Sequence, residues 1–77
     1  MFDWIKEEII SYEPLHMEED IVLTIDCEED ISYDIVKSSR GFEVYKYRRD
    51  GSGDYEPIEV FLSIEEIHKI YQELECM

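Results

Sequence analysis

The chain has few basic residues. Seven Lys and Arg stand against 21 Asp and Glu in 77 residues, which gives a formal net charge of −14 at pH 7. No Lys or Arg occurs between Lys6 and Lys37. Phosphate repels such a domain at long range, so we expect no direct contact with nucleic acid. A functional hypothesis has to start from the acidity itself.

Cysteine and histidine are equally scarce, with two of each. Cys27 and Cys76 lie far apart, and neither has a second Cys or a His close to it in sequence. This spacing fits neither a zinc site nor a disulfide framework, and we expect reduced thiols in a cytoplasmic protein without metal or cofactor. His16 falls in a connector and His68 on a predicted helix, so no catalytic constellation is indicated. We expect a non-enzymatic protein.

Long apolar runs are absent as well. The first ten residues, MFDWIKEEII, are acidic and lack the basic start and extended apolar stretch of a secretory signal. No run is long enough to cross a bilayer, and we expect no membrane contact. What is present is a composition of 44% hydrophobic and 13% aromatic residues, which is typical of a folding chain. Its length fits one acidic domain, residues 1–77, with a modest core.

Periodicity predicts an α+β domain with the element order α-β-β-β-β-α. A first helix is predicted from Asp3 to Tyr12, because Asp3 can cap it and Ile5, Ile9 and Tyr12 recur at helical spacing. Pro14 would end this helix. A second helix is predicted to start at Ser63, where a serine is followed three residues later by a glutamate.

Between the helices the apolar period changes to two, which predicts an antiparallel meander of three to four strands. The strands are predicted over residues 21–27, 31–37, 42–49 and 56–62. In the first of them Val22 should point away from Ile21 and Leu23. The two helices should cover one sheet face and leave the other exposed and charged. Glu43, Tyr45 and Tyr47 should lie together on one face.

Five of the seven bases lie in residues 37–49, which carry a net charge of +4. Aromatic residues are interleaved with them, as in proteins that bind single-stranded nucleic acid. The charge of the whole chain argues against that use. We expect these bases to pair with Glu43, Asp34 or Glu59 across neighbouring strands.

The most acidic stretch runs from Met17 to Asp34. It places an apolar strand between two acidic triplets, residues 18–20 and 28–30. Carboxylates on one face of a strand recur at about 6.5–7 Å, which is close to the phosphate repeat along one DNA strand. The residues that we expect to contact a partner are Glu18, Glu19, Asp20, Asp26, Glu28, Glu29, Asp30 and Asp34. A second row could come from the predicted helices, through Glu7, Glu8, Glu65, Glu66, Glu73 and Glu75.

In size, net charge and these two triplets, the chain resembles the small acidic DNA-mimic proteins of phages and mobile elements. That class has no common motif, so the resemblance carries no residue over as a known contact. It implies an inhibitor that mimics DNA phosphate charge and blocks the basic surface of a host nucleoid protein, polymerase, repressor or nuclease.

Two other classes stay open. An immunity protein or antitoxin that neutralises a basic toxin would use the same electrostatic steering. An acidic adaptor domain would instead bind through exposed aromatic residues such as Trp4, Tyr45, Tyr47 or Phe61. A homodimer formed by pairing of an edge strand is also expected.

Overall fold

Five β-strands and one α-helix make up the fold. The computed structural model describes residues 3–14 and 20–76. The strands form one antiparallel sheet in the order β1-β2-β3-β4-β5, so each strand pairs with its neighbour in sequence. The elements are β1 (Ile9–Pro14), β2 (Ile21–Cys27), β3 (Ile31–Ser38), β4 (Gly41–Arg48), β5 (Tyr55–Leu62) and α1 (Ile64–Glu75). The predicted α+β class is therefore confirmed, and the sheet is antiparallel as predicted, but it has five strands where three to four were predicted.

The predicted N-terminal helix, Asp3 to Tyr12, is wrong. Residues 3–8 form no helix, and β1 begins at Ile9, which pairs with Cys27 of β2. A ten-residue helix is marginal on its own, because nucleation is costly and stability must come from packing. Pairing with the outer edge of β2 satisfies the backbone of residues 9–14 instead, and Ile9 and Ile10 are β-branched residues that suit a strand. The order is therefore β-β-β-β-β-α.

The four predicted strands are present, with small differences at their ends. β3 and β4 are joined by a tight turn in which Ser38 pairs with Gly41. Gly41 has φ +126°, and a Cβ atom at this position would lie 2.8 Å from the carbonyl oxygen of Leu62. Glycine is required here both by the backbone conformation and by the close approach of β5.

The predicted orientation of Val22 is also wrong. The pairing of β2 with β3 shifts register between Ile21 and Leu23, so Val22 is an extra residue in a β-bulge. Val22 and Leu23 are both fully buried as a result. A strict alternation cannot anticipate a bulge, because one inserted residue moves the preceding side chains to the other face.

The two faces of the sheet differ sharply. The core face carries the buried apolar residues of the strands, and α1 packs on it through Ile67, Ile70 and Leu74. The Tyr71 hydroxyl donates a hydrogen bond to the carbonyl oxygen of Val22 at 2.9 Å, which ties the helix to β2. Residues 3–8 lie on the same side, where Trp4 meets the Tyr33 ring edge to face at 5.4 Å.

The other side is named the open face, because none of the elements in the described part of the chain packs over it. It carries polar and aromatic side chains that alternate with the core residues: Ser11, Glu13, Thr24, Asp26, Ser32, Asp34, Glu43, Tyr45, Tyr47, Tyr55 and Phe61. Glu43, Tyr45 and Tyr47 share this face as predicted.

The sheet has two edges, β1 and β5. Each edge strand contains a proline, Pro14 or Pro57, and each has a register shift in its pairing with its neighbour. Prolines and bulges both discourage the addition of another strand. The homodimer stays a prediction. Among the described residues, no helix has the length and apolar character needed to cross a membrane.

Candidate functional site

Most carboxylates of the described residues have no basic partner there. Two ion pairs are formed within residues 3–14 and 20–76, Lys46 with Glu7 at 3.8 Å and Arg48 with Asp54 at 3.7 Å. Most of the negative charge in these ranges therefore has no local neutralisation.

The pairing predicted for the bases of residues 37–49 is wrong for both of these bases. Lys46 lies opposite Tyr33 in the register and so projects from the core face, whereas Asp34 and Glu43 project from the open face. Side chains on opposite faces of a sheet cannot form an ion pair. Lys46 instead reaches Glu7 in the N-terminal segment, which sequence reasoning had placed on a helix.

The eight acidic residues predicted as a partner-binding row fall into separate groups. Glu18 and Glu19 lie outside the described residues. Asp20 and the hairpin tip, defined as Glu28, Glu29 and Asp30, lie at opposite ends of β2, which spans about 20 Å for seven residues. Asp26 and Asp34 lie between these ends on the open face. The structure thus gives an exposed acidic group at the tip and a separate pair on the sheet.

The hairpin tip is exposed and held in a fixed conformation. The Arg49 guanidinium donates hydrogen bonds to the carbonyl oxygens of Cys27 at 2.6 Å and Ile31 at 3.4 Å. The Arg49 amide donates to the carbonyl oxygen of Asp30 at 2.8 Å, and the Glu28 amide donates to that of Glu8 at 2.9 Å. Arg49 therefore stabilises the backbone of the tip and leaves its carboxylates free.

A groove of about 390 Å³ lies between the hairpin tip and the N-terminal segment. Its lining consists of Lys6, Glu7, Glu8, Glu28 and Glu29, four acids and one base. Within the described ranges, no group of three or more His, Cys, Asp or Glu side chains is placed to hold a metal ion. The groove is a negative surface feature next to the tip.

Glu7 is the acid that is best tied into the fold. It accepts a hydrogen bond from the Tyr33 hydroxyl at 2.7 Å, in addition to its ion pair with Lys46. Burial raises the pKa of Glu7, but the Tyr33 hydrogen bond, backbone hydrogen bonds and the Lys46 charge outweigh it, so the net pKa is lowered. Glu7 is a structural carboxylate that fixes residues 3–8 on the core face.

Asp26 and Asp34 accept hydrogen bonds from hydroxyl groups on the open face. Ser32 donates to Asp26 at 2.7 Å, and Thr24 donates to Asp34 at 3.0 Å. Burial raises the pKa of Asp34, and the nearby Asp26 charge adds to this effect, while hydrogen bonds from Thr24 and Tyr55 oppose it. The net pKa of Asp34 is raised. Both carboxylates are oriented by the sheet and are only partly exposed.

Three tyrosines cluster on the open face beside these acids. The Tyr45 and Tyr55 rings stack with centroids 5.1 Å apart, and Tyr47 meets Tyr55 edge to face at 6.1 Å. Burial and the Asp34 charge raise the pKa of Tyr55 to about 12, so its hydroxyl stays protonated at neutral pH. Phe61 of β5 is 56% exposed and lies opposite Glu43 of β4. The face combines aromatic rings with carboxylates.

Sequence reasoning placed Tyr45 and Tyr47 correctly but missed their convergence with Tyr55 and Asp34. The period of two in β4 identifies which residues share a face. It does not give the register between β4 and β5, which contains a bulge between Glu43 and Val44. The neighbours across the strands could therefore not be assigned.

Both cysteines are free thiols. Cys27 is fully buried in the core, where burial and the charges of Glu7 and Asp26 raise its pKa to about 11. Such a thiol stays protonated at neutral pH and is poorly reactive. Cys76 is exposed after the end of α1.

No protein-family model, curated protein or solved structure matches this chain.

Proposed function

We propose that this protein is a non-enzymatic inhibitor that occupies the basic, DNA-binding surface of another protein by presenting phosphate-like negative charge. The observation that supports this most directly is the set of exposed carboxylates. The described residues form two ion pairs, so most of these carboxylates have no basic partner there. Proteins that bind DNA contact its phosphates with Lys and Arg at fixed positions, and these side chains bind carboxylates as well as phosphates.

The fixed conformation of the hairpin tip adds to the argument. Its three carboxylates project from a backbone held by Arg49 and by the Glu8 carbonyl oxygen. Glu8, Glu28 and Glu29 share the wall of one groove, so several negative charges lie within a short distance. Charges that are already positioned lose less conformational entropy on binding than charges on a mobile tail.

A second candidate is an adaptor that binds through aromatic side chains. The open face supports it, because Tyr47 and Tyr55 are 38% and 47% exposed. An immunity protein or antitoxin would share the electrostatics of the first proposal and differ in having a single cognate toxin as partner. Salt separates the adaptor from the other two candidates, since screening weakens charge contacts much more than aromatic ones. The identity of the captured partner separates the inhibitor from the immunity protein.

The proposal can be tested by capturing a partner. Tagged protein is immobilised and exposed to a bacterial lysate at about 0.1 M salt, and bound proteins are eluted with a salt gradient and identified by mass spectrometry. A DNA-binding protein that elutes as salt rises supports the proposal. A toxin, or a partner that resists salt, points to the other candidates.

A charge variant sharpens this experiment. Glu28→Gln, Glu29→Gln and Asp30→Asn together remove three charges from the tip and leave its shape nearly unchanged. The partner should elute from this variant at distinctly lower salt than from the wild type. Elution at the same salt would show that the tip makes no contact. A comparison variant, Glu65→Gln, Glu73→Gln and Glu75→Gln, removes three exposed charges from α1, where the second acidic row was expected. Elution of the partner at lower salt from this variant as well would assign contacts to that row.

A further inference from the structure

The open face has aromatic rings and carboxylates but no basic side chain from the strands that form it. The register places Lys37 opposite Phe42, Lys46 opposite Tyr33 and Arg48 opposite Ile31, all residues of the core face. Arg49, beyond the end of β4, uses its guanidinium on the backbone of the hairpin tip. The local charge is therefore negative and has no cation of its own from β3 or β4.

Two carboxylates of this face, those of Asp34 and Glu43, lie next to Tyr45. Asp34 lies directly opposite Tyr45 across β3 and β4, and Tyr55 interacts with Asp34 through its hydroxyl. Glu43 lies two residues before Tyr45 on the same strand and face. The tyrosine rings thus have one carboxylate beside them across the strands, that of Asp34, and one along β4, that of Glu43.

Arginine fits this combination better than lysine does. A guanidinium is planar, stacks on aromatic rings and donates several hydrogen bonds in the plane of a carboxylate, whereas an ammonium is a compact and strongly hydrated charge. A nucleic-acid base would also stack on tyrosine, but its phosphates would be repelled by Glu13, Asp26 and Glu43. A second copy of the same face would be repelled by its identical charge.

We propose that the open face binds an arginine-bearing segment of the partner, with a guanidinium stacked on Tyr47 or Tyr55 and paired with Glu43 or Asp34. This inference rests on the proposed function in one respect, the basic character of the partner. The open face would then be a second contact surface beside the hairpin tip, and arginine would be the residue type that it selects.

Two capped peptides of equal charge test the inference. One contains four arginines alternating with glycine, and the other contains four lysines in the same positions. Each is titrated into the ¹⁵N-labelled protein at about 0.1 M salt, and binding is followed by amide chemical shifts. The arginine peptide should bind about fivefold more tightly, with its largest shifts at residues 43–47 and 55. Equal affinities would overturn the proposal.

Ring variants of Tyr47 identify the contact. Tyr47→Leu removes the aromatic face and keeps apolar volume, so the preference for arginine should fall to near one. Tyr47→Phe retains the ring and should keep the preference, which also shows that the site tolerates substitution. Loss of preference in both variants, or in neither, would contradict stacking on Tyr47. The same pair of substitutions at Tyr55 tests the other ring.

Charge variants separate this surface from the hairpin tip. Asp34→Asn with Glu43→Gln, and Glu28→Gln with Glu29→Gln, each change the net charge from −14 to −12. The first pair should weaken the arginine peptide more than the second does. The reverse result would place peptide binding at the tip and overturn the inference, while DNA mimicry by the tip would stand. Conversely, arginine selectivity in a protein whose captured partner does not bind DNA supports this surface and contradicts the proposed function.

Discussion

At the scale of single residues, the hairpin tip stores backbone strain. Glu29 and Asp30 have φ values of 63° and 59°, in the left-handed region that costs an ordinary residue about 1–2 kcal/mol. Gly, Asn and Asp are the usual residues in such a turn, so it is Glu29 that runs against local preference. Strain of this kind accompanies function in many proteins, and here it displays two carboxylates at the end of a sheet.

Replacing the strained glutamate should stabilise the protein. We expect Glu29→Gly to raise the free energy of unfolding by about 0.5–1 kcal/mol, because glycine adopts positive φ without steric cost and the relief exceeds its extra chain entropy. Urea unfolding measures the change. Glu28→Gly is the matched control, since it removes the same charge at the neighbouring position, where φ is not positive. That variant should be no more stable than the wild type, and an equal gain in both would assign the effect to charge.

The contact between Tyr33 and Glu7 should make stability depend on pH. Because the pKa of Glu7 is lowered in the folded protein, its ionised form stabilises the folded state at pH values above its ordinary pKa of 4.5. This contribution is lost as the pH falls through the pKa of the folded state. Tyr33→Phe should therefore lower the free energy of unfolding by about 1.5 kcal/mol at pH 7 and by less below pH 4.5.

Tyr71→Phe provides the comparison for this pH dependence. Its hydroxyl donates to a neutral carbonyl oxygen, so the loss should be about 1 kcal/mol and similar at both pH values. Urea unfolding at pH 7 and at a pH below 4.5 measures the loss in both variants. A Tyr33→Phe loss that stayed constant with pH would show that Glu7 is not the titrating partner.

At the scale of elements, α1 was predicted well because its start has a local chemical signature. Ser63 Oγ accepts a hydrogen bond from the Glu66 amide, and the Glu66 carboxylate accepts one from the Ser63 amide, both at 3.2 Å. Ser63→Ala should lower the free energy of unfolding by about 1 kcal/mol. Thermal or urea unfolding measures this, with the exposed turn residue Ser39 changed to Ala as control. Equal losses in the two variants would contradict a specific role for the cap.

The N-terminal segment was predicted badly for the opposite reason. Ile5, Ile9 and Tyr12 do fit a helical stripe, but what decides the structure of residues 3–14 is non-local. β2 offers an unpaired edge to residues 9–14, and Tyr33 offers a ring to Trp4 and a hydroxyl to Glu7. These partners are 9 to 29 residues away in sequence, and no local periodicity reports them.

The candidate site shows the same division. The exposed carboxylates of the hairpin tip followed from composition and turn position alone. The cluster of Tyr45, Tyr55 and Asp34 depends on the register of three strands, β3, β4 and β5, which sets which side chains meet. Alternation assigns faces but cannot assign neighbours across strands.

At the scale of the whole molecule, self-repulsion should oppose folding. A net charge of −14 with two ion pairs in the described ranges leaves many like charges close together. Raising sodium chloride from about 0.01 M to 0.5 M shortens the screening length from about 30 Å to a few ångströms, so the melting temperature should rise. The tip variant with three charges removed should show a smaller rise. A melting temperature that falls with salt would show that the ion pairs outweigh the repulsion.

Competition with DNA shows whether the acidic surface takes the place of DNA on a basic protein. The captured partner is loaded with a fluorescein-labelled 20-base-pair duplex, and this protein is titrated in while fluorescence anisotropy is recorded. We expect the anisotropy to fall to that of free DNA. For the tip variant, the midpoint of this fall should move to a higher concentration of the protein. An anisotropy that stays high or rises as a ternary complex forms would contradict the claim, because a mimic and DNA cannot occupy one surface together.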